Sequence, residues 1–120
     1  MQKQIKLIMS NKYGIPENDL NKIKARDKNC VYCHKKMINP KNGGRNSDWA
    51  TIEYLNFLPL WDNPSTVAIC CQNCNSSRGK KKLLDWFKTP YCIKKNINEN
   101  TVAKSVKTYL RLIKNSKMEN

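Results

Sequence analysis

Apolar and polar positions sort the 120-residue chain into a few short stretches. Between residues 3 and 12, Ile5, Ile8 and Met9 fall on one helical face and Gly14 supplies a stop, which predicts a short helix. Pro16 suits the first turn of a second helix running to about Lys28, with Leu20, Ile23 and the flanking Ile15 as its apolar side. Cys30-Val31-Tyr32-Cys33 follows. Residues 39–44, Asn-Pro-Lys-Asn-Gly-Gly, are too rich in turn formers to be anything but a loop. Two strand-like runs, 50–54 and 66–70, flank a proline-containing connection. Near a second cysteine pair the pattern turns helical, and Leu83, Leu84, Trp86 and Phe87 supply core. A last helix is expected over 101–114. Its apolar stripe is Val102, Val106, Tyr109, Leu110 and Ile113, and Lys104, Lys107, Arg111 and Lys114 stay wet.

Length changes this picture little: 120 residues predict one domain that buries roughly two-thirds of its unfolded surface. Charge changes it more. The chain has 23 Lys and Arg against 9 Asp and Glu, a formal net charge of +14. That excess favours a polyanionic partner, with nucleic acid first. A membrane surface ranks second, since the chain has neither a long apolar run nor a lipidation signal. Charges interrupt the apolar residues of 1–10 and no small-residue cleavage site follows, so a signal peptide is not expected. The expected compartment is the cytoplasm, where thiols stay reduced and cysteines serve more often as metal ligands than in disulfides.

Cysteine spacing is the strongest local signal. Cys30 and Cys33, then Cys71 and Cys74, form two Cys-x-x-Cys pairs, each able to turn two thiolates toward one ion. Tetrahedral zinc needs four such ligands, so a structural zinc ion on all four is expected. Cys70 would break the two-residue spacing and is expected to point from its strand into the core. Cys92 reads as a small buried hydrophobe. His34, the sole histidine, reads as a solvated residue on the knuckle turn, with a substitute ligand or a base as alternatives.

Longer motifs now join up. They are Arg26-Asp27-Lys28-Asn29-Cys30-Val31-Tyr32-Cys33, Ala50-Thr51-Ile52-Glu53-Tyr54-Leu55-Asn56, and Val67-Ala68-Ile69-Cys70-Cys71-Gln72-Asn73-Cys74-Asn75-Ser76-Ser77-Arg78-Gly79. Leu83-Leu84-Asp85-Trp86-Phe87-Lys88-Thr89-Pro90-Tyr91-Cys92 completes the series. In this order they resemble the bacterial HNH endonucleases of the ββα-metal group, over more than half the chain. The resemblance implies an α+β fold. Its zinc-stapled ββα core would span 29–92, with an N-terminal helical segment at 1–28 and a C-terminal helix within 93–120.

It also implies a site. By position, Glu53 would be the acidic ligand of a catalytic Mg²⁺ or Mn²⁺ and Asn75 the ligand on the helix. Hard oxygen donors suit such ions, which would polarise the scissile phosphate while a base activates water. Arg78 with Lys80, Lys81 and Lys82 would grip a nucleic-acid backbone, duplex DNA first. The sequence departs from the family pattern twice. Tyr54 stands at the general-base histidine position, and Thr66 stands where a bracing Asn is expected, with Asn63 nearby. A phenol with a pKa of about 10 is a poor base near neutrality. The leading expectation is a metal-dependent endonuclease, impaired at Tyr54. The alternative is a zinc-stapled nucleic-acid-binding module without cleavage. Each residue also has a plainer role: Glu53 as a strand carboxylate, Asn75 as a helix cap, Lys80 to Lys82 as solvated surface, and Tyr54 as packing.

Overall fold

The structure is a computed structural model that describes residues 14–56 and 64–116. The helix expected over 3–12 lies outside the described residues, as does Asn63. Helix α1 (Glu17–Arg26) follows Pro16, whose fixed φ suits a helix entry. Glu17 and Asp19 in its first turn and Lys24 and Arg26 in its last complement the helix dipole. Strands β1 (Ala50–Tyr54) and β2 (Val67–Cys71) form an antiparallel pair, with Ala50 opposite Cys71 and Tyr54 opposite Val67. Four helices follow: α2 (Gln72–Arg78), α3 (Leu83–Trp86), α4 (Pro90–Lys95) and α5 (Lys104–Ser116).

The two-stranded sheet is covered on both faces, which explains why every residue of β2 is buried. Strand alternation sends Ile52, Val67 and Ile69 to one face, against Ile15, Leu20 and Ile23 of the α1 segment. Ala50 and Tyr54 pack against that same cluster. The other face carries Ala68 and Cys70 toward Trp86, Val106, Tyr109, Leu110 and Ile113. Asp27, buried just after α1, fastens the first layer. Its carboxylate takes two bonds from Arg26, at 2.9 and 2.7 Å, one from the Ile69 amide at 3.1 Å and one from the Ser105 hydroxyl at 3.1 Å. Arg26 continues to the carbonyls of Pro64 and Val67, so one residue pair straps α1 to the entry of β2.

Several boundaries differ from the sequence reading: α1 ends at Arg26 rather than near Lys28, β2 at Cys71 rather than Cys70, and the last helix at Ser116 rather than Lys114. The second strand begins at Val67, because Thr66 ends a 3-10 turn and its carbonyl accepts the Leu55 amide at 2.9 Å to close the hairpin. The last helix begins at Lys104 rather than near 101. The Thr101 hydroxyl is committed to a turn, donating to the Asn96 carbonyl at 2.7 Å and accepting the Asn98 amide at 2.9 Å. The loop over 39–44 contains one 3-10 turn, Pro40–Asn42, whose Lys41 amide bonds the Asn39 side chain. No helix among the described residues is long and apolar enough to cross a membrane.

Candidate metal centre

Cys30 and Cys33 sit on a tight knuckle in which the Cys30 amide reaches the Lys35 carbonyl at 3.0 Å and the His34 amide reaches the Cys30 carbonyl at 2.9 Å. Cys71 ends β2 and caps α2, and Cys74 lies in the first turn of that helix. Hairpin and knuckle thereby bring four thiol sulfurs within 4.8 Å of one another. The Cys33 and Cys71 sulfurs are 3.9 Å apart. A tetrahedron of thiolates at about 2.3 Å from zinc has edges of about 3.8 Å, so the spacing fits. The cluster can hold a metal ion such as zinc.

Hydrogen bonding to Cys30 holds Cys33 and Cys71 below the ordinary thiol range. Cys30, bonded to Cys33, and Cys74, bonded to Cys30, are pushed up. Thiols this close compete for negative charge, and a divalent cation would let all four coordinate as thiolates. Beside them the Tyr91 hydroxyl lies 3.2 Å from the Cys74 sulfur and accepts a bond from the Asn73 side-chain Nδ2 at 3.1 Å. Such outer bonds orient ligands and tune their basicity. Tyr91 stacks on Trp86, which meets the edge of Tyr32 at a centroid distance of 4.8 Å. Trp86 anchors in turn to the Ser77 hydroxyl at 3.0 Å. Cys70 and Cys92 are buried in the core apart from the four-thiol set. His34 is exposed, and its ring Nε2 meets the Thr101 carbonyl.

The residues expected around a second, catalytic cation are arranged differently. Glu53 is only 5 % exposed. Its Oε2 accepts the Tyr32 hydroxyl at 2.6 Å and Arg78 Nη1 at 2.9 Å. Arg78, expected on a phosphate, is instead wholly buried, with Nη2 on the Leu55 carbonyl and Nε on the Lys81 carbonyl, both at 2.8 Å. Burial pushes the Glu53 carboxyl above its ordinary range, against the opposing pull of Arg78 and Tyr32. Asn75 turns its amide nitrogen to the Thr51 hydroxyl at 3.0 Å and the Ile52 carbonyl at 3.4 Å. Tyr54 stands one residue from Glu53 and therefore faces the opposite side of the hairpin, among the α1 cluster. Glu53, Asn75 and Tyr54 do not converge on one open site. Of the basic run, Lys80 and Lys81 are exposed, and Lys82 is half-buried.

The polar bonds of Tyr32 to Glu53 and of Tyr91 to Cys74 are not foreseen from the sequence. For Tyr32 a signal existed. It lies between the two cysteines of the first pair, beside the fully buried Cys30. Arg78 had one too, since Cys74 and Arg78 are four apart on a helix and share its buried face.

Comparison with family models, with curated proteins and with solved structures finds no match.

Proposed function

We propose that the chain is a nucleic-acid-binding module on an HNH-type ββα-metal frame, stapled by a structural zinc ion, and that it does not cleave. The observation that carries this reading is the closure of Glu53 by Arg78 and Tyr32. Mg²⁺ and Mn²⁺ seek accessible carboxylate oxygens and keep several waters, and a buried carboxylate already neutralised by a guanidinium offers neither. Two features support the frame: a hairpin leading directly into a helix, and a cysteine set that joins the knuckle to the hairpin's end. The zinc, when bound, supplies cross-linking and no chemistry. The net charge of +14, with Lys80 and Lys81 exposed just past α2, supports a polyanion as partner.

Cleavage remains the second reading for one reason. Asn75 bonds the strand beside Glu53, so opening the Arg78 contact would leave a carboxylate and an amide on neighbouring elements. One experiment separates the two. Zinc-loaded protein is incubated with supercoiled plasmid in Mg²⁺, Mn²⁺ or EDTA, and duplex binding is followed over a salt series. Binding that weakens linearly with log salt, without nicking, is expected. Mg²⁺-dependent nicking that Glu53→Ala abolishes would install the nuclease reading, and absence of salt-dependent binding would remove nucleic acid from both.

A further inference from the structure

Helix α5 places Lys104, Lys107, Arg111 and Lys114 three, four and three residues apart. At 3.6 residues per turn they lie within about 80° of the helix circumference and extend over about 15 Å of its length. The opposite side, Val106, Tyr109, Leu110 and Ile113, is buried in the core. The fold gains little from Lys104, Lys107 and Arg111. Lys104 opens the helix, where the dipole disfavours a cation, and its first turn holds no acid. Each successive pair along the stripe is a like-charge neighbour at three or four residues, which destabilises a helix. Some cations elsewhere are matched, Arg26 with Asp27, Lys35 with Asp48 and Arg78 with Glu53, whereas others, Lys80 and Lys81 among them, have no acidic partner among the described residues. On α5 only Lys114 is matched, with Glu99 at 2.8 Å. Lys104, Lys107 and Arg111 have no acidic partner among the described residues. Beside them a concavity of about 270 Å³ is lined by Lys107, Arg111, Lys114, Asn100, Glu99 and Leu110.

We infer that this face of α5 is a contact surface for the phosphate backbone of a nucleic-acid duplex, engaged through Lys104, Lys107 and Arg111. The inference rests on the nucleic-acid reading above and adds a location to it, on an element separate from Lys80 to Lys82. A duplex presents a charge every 1.7 Å or so of its axis, so a rigid cationic rod of this length meets several phosphates at once. An anionic membrane is the weaker partner. A membrane-surface helix must offer its apolar side to lipid, and α5 has committed that side to the core.

The test compares the parent protein with Lys104→Gln/Lys107→Gln/Arg111→Gln and with Lys80→Gln/Lys81→Gln/Lys82→Gln. Anisotropy is read on random-sequence duplex DNA, duplex RNA and phosphatidylserine vesicles over a salt series. The α5 variant is expected to lose about two to three units of salt slope on a duplex, at about 0.9 per phosphate contact. Its melting temperature should hold or rise, since like-charge repulsion is relieved. The charge-keeping variant Lys104→Arg/Lys107→Arg/Arg111→Lys should bind as the parent does. A response on DNA, on RNA or on both supports the surface and names its source. An unchanged slope in the α5 variant beside a reduced one in the Lys80 to Lys82 variant overturns this inference alone. A lowered melting temperature, or tighter binding to vesicles than to either duplex, also overturns it. A parent that binds neither duplex overturns this inference and the proposed function together.

Discussion

Arg78 holds Glu53 from 25 residues further along the chain. Its Nη1 lies 2.9 Å from Oε2, with the two side chains 1 % and 6 % exposed. A buried pair of this kind owes little net stability to its charges, yet removing one partner leaves the other stranded. Arg78→Met is therefore expected to destabilise the protein by about 3–5 kcal/mol, and Glu53→Gln by a similar amount. The double variant should cost clearly less than the sum, because both stranded charges are gone. Urea denaturation of all four proteins measures the coupling, and simple additivity would contradict it.

The same pair sets a pH dependence. Burial raises the Glu53 carboxyl above its ordinary range, so the folded state holds that proton more firmly than the unfolded chain. Its contribution to stability is then present below the unfolded pKa and is lost as pH rises through the raised folded value. Arg78 pulls the shift down, so Arg78→Met should raise the Glu53 titration further. Carbon-13 NMR of the labelled carboxyl follows both. A Glu53 that titrates at or below the ordinary range would reverse the sign.

Metal removal is the largest expected perturbation. Structural zinc in small domains carries an apparent binding free energy of about 10–16 kcal/mol, more than a domain of this size usually has to spare. Chelation, Cys33→Ser or Cys74→Ser should unfold the region around the hairpin, seen as lost far-ultraviolet dichroism and a collapsed melting transition. Cys92→Ser, apart from the four-thiol cluster, should be mild. Tyr91→Phe should keep the fold and weaken metal affinity by about 10- to 100-fold through the lost bond at Cys74. Competition with a chromogenic chelator reads that change.

Tyr54→His offers a sharp check on the proposal that the chain does not cleave. Were Tyr54 at the general-base position of a working site, an imidazole there would restore proton transfer worth typically 10²–10⁴-fold. Its side chain packs on the α1 face while Glu53 points to the other. No Mg²⁺-dependent nicking is expected from the variant, and an appearance of nicking would bring the two residues back into one site.

Local signals in the sequence carried far. The cysteine pairs announced their cluster by spacing, β1 was placed at Ala50–Tyr54, and Leu20 and Ile23 marked the buried side of α1. The candidate site was harder, because the decisive contacts are long-range choices between partners. Its four-residue spacing from Cys74 marks Arg78 as inward-facing, but nothing near it names the carboxylate on a strand 25 residues away as its partner. The period of two along β1 places Glu53 and Tyr54 on opposite faces of the hairpin. The start of the last helix was missed for another reason, since the Thr101 side chain outcompetes helix formation through bonds to Asn96 and Asn98.

Among the described residues no third strand covers the outer edge of β2. At Ile69 its amide ends on the Asp27 carboxylate at 3.1 Å and its carbonyl on the Val31 amide at 3.2 Å. Val31 lies inside the first cysteine pair, so a metal ion on the four thiols would hold in place the element that shields this edge. A chain emerging from synthesis without zinc would present the apolar run Val67-Ala68-Ile69-Cys70 with its ladder groups unclaimed, a template for pairing with another copy. Metal supply would then govern more than the stability of the finished fold. It would decide whether a nascent chain matures or is lost to self-association, and expression in zinc-poor medium should shift the product from the soluble fraction to aggregates.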